Sequence, residues 1–264
     1  MELVFHPAFQ KHSLPGHPER PERLSLLKLD DIIEAKSGEK WLKLCHDKAY
    51  IERAKTPGYL DADTYVTPNT YEAACLAAGA SVQALEIGGF ALTRPPGHHA
   101  PFGGFCIFNN IVVAAKASRK RVFIVDFDAH HGNGTQSLAK GDEKIMYFST
   151  HQSPLYPGTG LGSEGNAINV PLAAGAGDGE YLKIVDNVLK PALAEFAPDI
   201  VGVSAGFDSY YKDAGWLTDM RLTTKSYDAV CHAIAGYKVF FVLEGGYNPE
   251  SVKDGVNAVL DYFK

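Results

Sequence analysis

The sequence is poor in cysteine and has no long apolar run, and each shortage excludes a class of protein. Its four cysteines show no CxxC spacing and indicate reduced thiols in a cytoplasm rather than a disulfide framework. The longest apolar runs, such as Val239 to Leu243, are far shorter than the ~20 residues that a bilayer requires. The N-terminus carries Glu2 and His6 rather than the pattern of a signal peptide. We therefore expect a soluble cytoplasmic protein that contacts no membrane. The cysteines are Cys45, Cys75, Cys106 and Cys231.

Basic residues are not in excess either. Lys and Arg together number 25 against 31 Asp and Glu, which gives a formal net charge of -6. No basic stripe is long enough to neutralise several phosphates in a row. Direct binding of nucleic acid is therefore not expected.

Apolar residues are plentiful, at 45% of 264 residues, and no repeat or low-complexity tract interrupts them. This organisation predicts one domain over residues 1–264. Short β-branched or aromatic runs predict buried strands at 122–126, 145–149, 200–204 and 239–243. Helical spacing predicts helices at 70–85, 109–117, 179–196 and 223–235. Their alternation predicts an α/β fold, with a mostly parallel central sheet covered by helices on both faces.

Proline and glycine mark further boundaries. Pro18 and Pro21, each followed by a glutamate, have the composition of a helical first turn and predict a helix that runs to about Glu34. The glycine-rich stretches 158–165 and 173–179 predict long surface loops, where parallel α/β folds usually carry function.

The run DFDAHHGNG, residues 126–134, directly follows the first predicted strand. Side chains at i, i+2 and i+4 share one face of a strand, so Asp126, Asp128 and His130 should project together. We interpret Asp128 and His130 as metal ligands and Asp126 as a supporting or second-ion carboxylate. The alternative is a solvated loop in which acidic residues and histidines happen to cluster.

Asp208 is the best candidate for a third ligand, because a catalytic zinc-type site uses three protein ligands and leaves one position open. It lies in VSAGFDS, just after another buried strand, and parallel strands bring their carboxyl ends to one edge of the sheet. Taken alone, Asp208 is more simply a loop aspartate.

Two further loops carry side chains suited to acid–base and oxyanion chemistry. RPPGHHA, residues 94–100, presents His98 and His99, which are badly placed to chelate one ion together but suited to proton transfer. LEGGYN, residues 243–248, ends a strand with two glycines that leave Tyr247 free to approach a bound carbonyl. The alternatives are an exposed histidine pair and an ordinary turn tyrosine.

Phe105 in GGFCIFN and Tyr156 in LYPGTG are aromatic loop residues that could wall a narrow apolar slot or simply pack.

These motifs, taken together and in order, resemble the histone deacetylase superfamily, which includes bacterial amidohydrolases, acetylpolyamine amidohydrolases and acetoin-utilisation proteins. The resemblance runs nearly the whole chain and implies a single three-layer α/β/α domain of the arginase-deacetylase fold. The matching motifs are HPERPERL, RPPGHHA, GFCIFNN, VDFDAHHGNGTQ, STHQSPLYPGTG, SAGFD and EGGYN.

The resemblance also implies roles for individual residues. Asp128, His130 and Asp208 match metal ligands, His98 and His99 the tandem histidines, and Tyr247 the catalytic tyrosine. Gly104, Phe105 and Tyr156 match the acyl-lysine tunnel, and Arg23 matches an inner cavity for the released acid. Asp126 and Ser149, with backbone carbonyls of Asp128, His130 and Thr150, match a K⁺ or Na⁺ site.

The sequence departs from the family pattern at two places. Asn133 stands where some branches have Asp, so an amide should orient His99 while the Asp126 carboxylate stays behind His98, and the two imidazoles should differ in basicity. The segment after Asp208 is longer than expected, so the residue at the rim of the tunnel is not identified. The segment contains no evident glutamate, and this absence weakens the interpretation that the substrate is a polyamine. EGGYN and SAGFD are closest to the class II and bacterial branches.

The resulting hypothesis is a zinc-dependent amidohydrolase that removes an acetyl or short acyl group from a lysine side chain, in a protein or peptide, or from a related amine. One imidazole and two carboxylates favour Zn²⁺, but Fe²⁺ also suits them. Acetylpolyamines or other small amides are alternative substrates. Rival hypotheses are a two-metal ureohydrolase and a non-catalytic acyl-lysine binding module. The sequence does not indicate an oligomeric state.

Overall fold

A parallel sheet of eight strands organises the protein, and the computed structural model describes all residues, 1–264. Its order is β2-β1-β5-β10-β9-β6-β7-β8, and every pairing in it is parallel. The strands are β1 (Leu3–Phe5), β2 (Ile33–Glu34), β5 (Phe90–Ala91), β6 (Val122–Asp126), β7 (Ile145–Gln152), β8 (Ala167–Leu172), β9 (Ile200–Ala205) and β10 (Lys238–Leu243), and a separate hairpin pairs β3 (Gly58–Tyr59) with β4 (Tyr65–Val66).

Eight α-helices surround the sheet. They are α1 (Lys48–Arg53), α2 (Thr70–Ile87), α3 (Asn110–Ser118), α4 (Asn133–Ala139), α5 (Asp178–Ile184), α6 (Lys190–Phe196), α7 (Thr224–Ile234) and α8 (Pro249–Tyr262). A π-helical stretch, Val185–Leu189, connects α5 to α6, so the predicted helix 179–196 is confirmed as one nearly continuous segment. None of the helices combines the length and apolar character needed to cross a membrane.

Neighbouring residues of β10 show that helices cover both faces of the sheet. Phe240 faces the Ile111 side chain of α3, since a Cβ on its partner Gly202 would lie within 3.4 Å of both side chains. The Phe241 ring, pointing the other way, lies 5.7 Å from that of Phe263, just after α8. The predicted three-layer α/β/α architecture is therefore confirmed, with its core on both faces of the sheet.

The four predicted strands and four predicted helices are confirmed, with ends that differ by a few residues. Strand β8 is not predicted from the sequence; it contains Pro171 and lies at the edge of the sheet, where a missing N–H is tolerated. The very short strands β1, β2 and β5 also escaped prediction.

The predicted helix from Pro18 to about Glu34 is wrong. Only a single 3-10 turn forms there, Pro21–Leu24, and the segment ends in strand β2. Glu19 and Arg23 turn inward and are fully buried, because Glu19 pairs with Arg94 of a distant loop. That long-range ion pair outweighs the local helical preference of the segment.

Candidate metal centre and active site

The metal-ligand candidates meet at the carboxyl edge of two neighbouring strands. Asp128 and His130 follow β6, Asp208 follows β9, and β6 pairs with β9. Their ligand atoms all lie within 4.8 Å of one another, and all three residues are buried. Nδ1 of His130 lies 3.0 Å from Oδ1 of Asp128 and 2.9 Å from Oδ2 of Asp208. The sequence prediction that these three residues lie together is confirmed.

The chemistry of this trio fits a cation. Burial and the neighbouring Asp128 carboxylate raise the pKa of Asp208 to about 6. Burial opposes protonation of His130, but the carboxylates of Asp208 and Asp128 outweigh it and raise its pKa to about 10. Two buried carboxylates thus converge on one imidazole nitrogen, and one nitrogen with two oxygens is a donor set suited to Zn²⁺ or Fe²⁺.

Gly245 gives the two carboxylates their space. A Cβ on this residue would lie 2.3 Å from Oδ2 of Asp208 and 2.5 Å from Oδ2 of Asp128. Its N–H donates to Oδ2 of Asp128 at 2.8 Å, so the backbone itself orients the carboxylate. The first glycine of EGGYN is therefore required by close approach as well as by the turn.

Asp126 supports the trio from below. Its Oδ1 accepts the N–H of Asp128 at 3.1 Å, and its Oδ2 accepts the Tyr147 hydroxyl at 2.8 Å. The same Oδ2 lies 3.1 Å from Nδ1 of His98. Asp126 therefore contacts both the ligand loop and the histidine pair, in agreement with a supporting carboxylate.

The histidine pair is buried, with ring centroids 4.1 Å apart. Burial lowers the pKa of His98, but the Asp128 and Asp126 carboxylates outweigh that effect and raise it well above the usual range. Burial, together with the neighbouring His98 and His130, lowers the pKa of His99 well below the usual range. Nδ1 of His99 lies 2.9 Å from Oδ1 of Asn133, as the sequence predicts. The expected difference in basicity between the two imidazoles thus has a structural cause.

Tyr247 lies on the loop after β10 and is almost fully buried. Its N–H donates to Oδ1 of Asp213 at 2.9 Å, and the Arg23 guanidinium lies 4.9 Å from its ring centroid. Burial raises the pKa of the Tyr247 hydroxyl well above its ordinary value, although Arg23 opposes this effect. The hydroxyl therefore remains a hydrogen-bond donor at neutral pH.

A pocket of 180 Å³ leads from the surface to this group. The Phe105 ring lies 5.7 Å from that of Tyr247, and the Tyr156 ring 5.2 Å from that of His99. Gly104 has a φ of 60°, and a Cβ there would lie 2.5 Å from the His99 ring. The pocket is lined by Asp63, His99, Gly104, Phe105, His130, Tyr156, Leu217 and Tyr247.

The histone deacetylase domain model matches residues 17–263 of this chain. The chain belongs to the histone deacetylase family. Known deacetylases resemble it over almost its full length. It is 35% identical to a "probable deacetylase" of Archaeoglobus fulgidus, over 94% of this chain and 81% of that protein. It is 39% identical to "Histone deacetylase 10, chloroplastic" of Oryza sativa, over 93% and 69% respectively.

A solved structure agrees with this assignment. The crystal structure of the HDA15 HD domain superposes with a TM-score of 0.91 at 32% identity, and the match covers 99% of this chain and 90% of that one. Family membership and fold are thus supported independently, by sequence and by backbone geometry.

Two of the residues predicted to form a monovalent-cation site in this histone deacetylase family member lie opposite each other on neighbouring strands. Asp126 on β6 pairs in register with Ser149 on β7. The Ser149 hydroxyl lies 2.9 Å from Nδ1 of His151, whose Nε2 meets the Gly160 carbonyl at 3.0 Å. Nε2 must therefore carry the proton, and Ser149 donates to Nδ1 and keeps its lone pairs free. The Thr150 hydroxyl instead donates to Tyr181 at 3.1 Å.

Arg23 of this deacetylase-family chain is fully buried. Its Nε donates to the Gly246 carbonyl at 2.6 Å, its Nη1 to Glu19 at 3.0 Å, and its Nη2 to the Glu244 carbonyl. Arg23 therefore holds the backbone of the tyrosine loop, and its predicted role in an acid-release cavity stays a prediction.

Sequence reasoning missed several residues around the site. Leu217 and Asp63 line the pocket, but they lie in irregular segments without a readable period. Tyr147 donates to Asp126, but its position within a strand indicates only a buried core residue. Glu244 was overlooked although an acidic residue at the end of an apolar strand is the signal that identified Asp126.

Proposed function

We propose that this protein hydrolyses an acetyl or short acyl amide of a lysine side chain or a related amine. The observation that carries the proposal is the pocket in which Tyr247, His99 and His130 meet. An oxyanion donor, a neutral base and a metal-ligand group at one point are the components that amide hydrolysis requires. Residues 1–264 would form one catalytic domain.

Asp128, His130 and Asp208 would hold the metal, with Zn²⁺ or Fe²⁺ matching the donor set. When bound, such an ion polarises the amide carbonyl and lowers the pKa of water from ~16 toward ~7. Asp126, Ser149 and Thr150 would contribute to a K⁺ or Na⁺ site beneath.

His99 suits the role of general base. Its Nδ1 faces the Asn133 carbonyl oxygen and donates to it, which leaves the Nε2 lone pair free to accept a proton. Burial and two neighbouring histidines lower the pKa of His99, so the ring is neutral at working pH. The proton that His99 accepts is the one that the departing amine requires, and Asp126 holds the neighbouring His98 in place beside it.

Tyr247 suits the role of oxyanion donor. Its hydroxyl keeps its proton because burial raises its pKa, and it shares the pocket with His99 and His130. A hydrogen bond that strengthens as the carbonyl oxygen becomes negative lowers the barrier by ~3 kcal/mol.

The pocket walls favour a linear apolar stem. Phe105, Tyr156 and Leu217 are apolar or aromatic, and 180 Å³ accommodates an alkyl chain rather than a bulky ring system. This shape supports an acyl-lysine as substrate. Asp63 among the lining residues favours acetylated polyamines as a second candidate, since its carboxylate could pair with a distal ammonium.

Two predictions on cellular context remain part of the proposal. The four thiols are free, in keeping with a reducing cytoplasm, whereas a plant relative is named chloroplastic. The proposed partners are acyl-lysine proteins or peptides, or acylated amines, without direct binding of nucleic acid.

The test is amine release from acetyl-lysine peptide, acetylated polyamine and longer acyl-lysine peptides. Metal-stripped protein is reloaded with Zn²⁺ or Fe²⁺ and compared with Tyr247→Phe. We expect metal-restored turnover that falls at least about a hundredfold in the variant. Equal inertness of both metal-loaded proteins on every amide would refute the proposal and leave guanidino hydrolysis or acyl-lysine binding to be tested.

A further inference from the structure

Glu244 is a fully buried carboxylate that the roles above do not use. Its Oε2 accepts the N–H of Gly97 at 2.7 Å and that of His98 at 3.1 Å. Its Oε1 accepts the hydroxyl of Ser204 at 3.3 Å. One side chain thus joins the loop that follows β5 to the carboxyl ends of β10 and β9, and these three strands are adjacent in the sheet.

The loop that Glu244 holds is fixed from other sides as well. The His98 carbonyl accepts the N–H of Thr135 at 2.9 Å, and a Cβ on Gly97 would lie 2.6 Å from Asn110 N. The loop therefore has little freedom to move toward a different acceptor. Removing the carboxylate would leave the N–H groups of Gly97 and His98 buried and unpaired.

The same residue belongs to the tyrosine loop. The Glu244 carbonyl accepts Arg23, the next residue contacts Asp128, and Tyr247 follows two residues later. A displacement of Glu244 would change the spacing between the histidine pair and Tyr247. Reacting groups tolerate errors of about 1 Å badly, so such a displacement should slow the chemical step.

We propose that Glu244 is a positioning residue, whose side chain fixes the backbone beneath the histidine pair relative to the tyrosine loop. The inference rests on the proposed hydrolytic function. The effect of Glu244 on kcat would come from its two oxygens as hydrogen-bond acceptors rather than from its negative charge. A glutamine would keep both contacts, because its Oε1 accepts the two N–H groups and its amide donates to Ser204.

Three substitutions separate acceptor geometry from charge. Glu244→Gln keeps the acceptor and the length, Glu244→Asp keeps the charge but is one methylene too short, and Glu244→Ala keeps neither. We expect kcat within about threefold of wild type for Gln and a fall of about ten- to a hundredfold for Asp and Ala. KM should stay within about twofold in all three, since Glu244 itself does not line the pocket. If the negative charge were required, kcat would be higher in Glu244→Asp than in Glu244→Gln, and this result would overturn the proposal.

Amide hydrogen exchange, followed by NMR, tests the contact without any turnover. We expect the N–H groups of Gly97 and His98 to be protected in wild type and Gln, and to exchange at least about a hundredfold faster in Ala. The N–H of Val203, inside β9, should be unchanged in all of them. Unchanged protection in Ala would overturn the proposal even if the wild type proved inert on every amide. If Ala does not fold, Gln and Asp decide by the same two measurements.

Asp178→Ala is the matched control. Asp178 lies at the start of α5, and its carboxylate accepts three hydrogen bonds, from the N–H and hydroxyl of Thr223 and the hydroxyl of Ser226. Its loss should lower the melting temperature without changing kcat or the exchange of His98. An equal fall of kcat in this control would assign the Glu244 effect to general destabilisation and overturn the proposal.

Discussion

The floor of the pocket and its mouth are built in different ways. The floor consists of His130, which lines the pocket, with Asp128 and Asp208 beside it. These residues follow fully buried strands, and each of their side chains is buried and hydrogen-bonded. The mouth includes Tyr156, which is 44% exposed, and Leu217, next to the 55% exposed Trp216. On the proposed function, the floor would fix the chemistry, whereas the mouth would sort substrates. Mutations should therefore have graded effects along the pocket.

The largest effect is expected at the floor. Asp208→Asn keeps the size of the side chain and an acceptor for the N–H of Ala129, but weakens the metal site. We expect a loss of bound metal and at least about a thousandfold lower amine release. Metal content per chain and turnover are the measurements.

Strand β9 supplies the control, because Asp199, just before it, accepts the N–H of Arg121 at 2.9 Å and lies at the opposite end of the strand from Asp208. Asp199→Asn should bind metal and turn over like the wild type. Full metal content and activity in Asp208→Asn would contradict its assignment as a ligand.

The next effect concerns stability beneath the floor. Arg94 donates to both carboxylate oxygens of Glu19, at 2.6 and 2.8 Å, and Arg23 adds a third bond. Glu19→Gln leaves two buried guanidinium charges without a carboxylate, and we expect the free energy of unfolding to fall by about 3–5 kcal/mol at pH 7. Urea unfolding measures it.

The pH dependence of that effect has a definite sign. Burial raises the pKa of Glu19, but Arg94 and the other partners outweigh it and hold the pKa well below the ordinary value. The stabilisation is present above the unfolded pKa of about 4.3 and is lost as the pH falls through the folded pKa. Wild type and variant should therefore converge in acid. Glu164→Gln, which breaks an exposed pair with Lys140, should change stability at no pH.

A smaller effect is expected beside the histidine pair. Asn133→Asp places a carboxylate at the 2.9 Å contact with His99 and should raise the pKa of that ring, which burial and its histidine neighbours lower. Because the base must be neutral, the acid limb of the profile of kcat/KM against pH should move up by about one unit. Asn257→Asp, on α8, should leave the profile unchanged, and an unchanged profile in Asn133→Asp would argue against His99 as the base.

The smallest effect is expected at the mouth. Tyr156→Ala removes a half-exposed wall and should raise KM for acyl-lysine peptides about three- to tenfold, with kcat within about twofold. Leu161→Ala, a 71% exposed position on the same loop, should change neither constant. A large fall of kcat in Tyr156→Ala would show that the mouth takes part in the chemistry.

The contrast between floor and mouth also explains how far the sequence could be interpreted. Asp128, His130 and Asp208 follow apolar runs whose pattern predicts parallel strands, and parallel strands bring such residues to one edge. Leu217 lies between isolated bridges, where no periodicity indicates which way it faces. The helix prediction for the segment around Glu19 failed for a different reason. The partner of Glu19, Arg94, lies 75 residues away, and local composition cannot indicate such a contact.

Strand order has a consequence for how the chain acquires its site. β10 is the last strand of the sheet in sequence, yet it lies between β5 and β9 and is the only link between a three-stranded and a four-stranded part. During synthesis the strands of these two parts emerge first, and β5 and β9 have no strand between them until residues 238–243 leave the ribosome. A nascent chain that stops short of β10 would expose two unpaired edges, on β5 and β9, and would lack Tyr247. The continuous sheet and the proposed oxyanion donor would therefore be completed in the same late step.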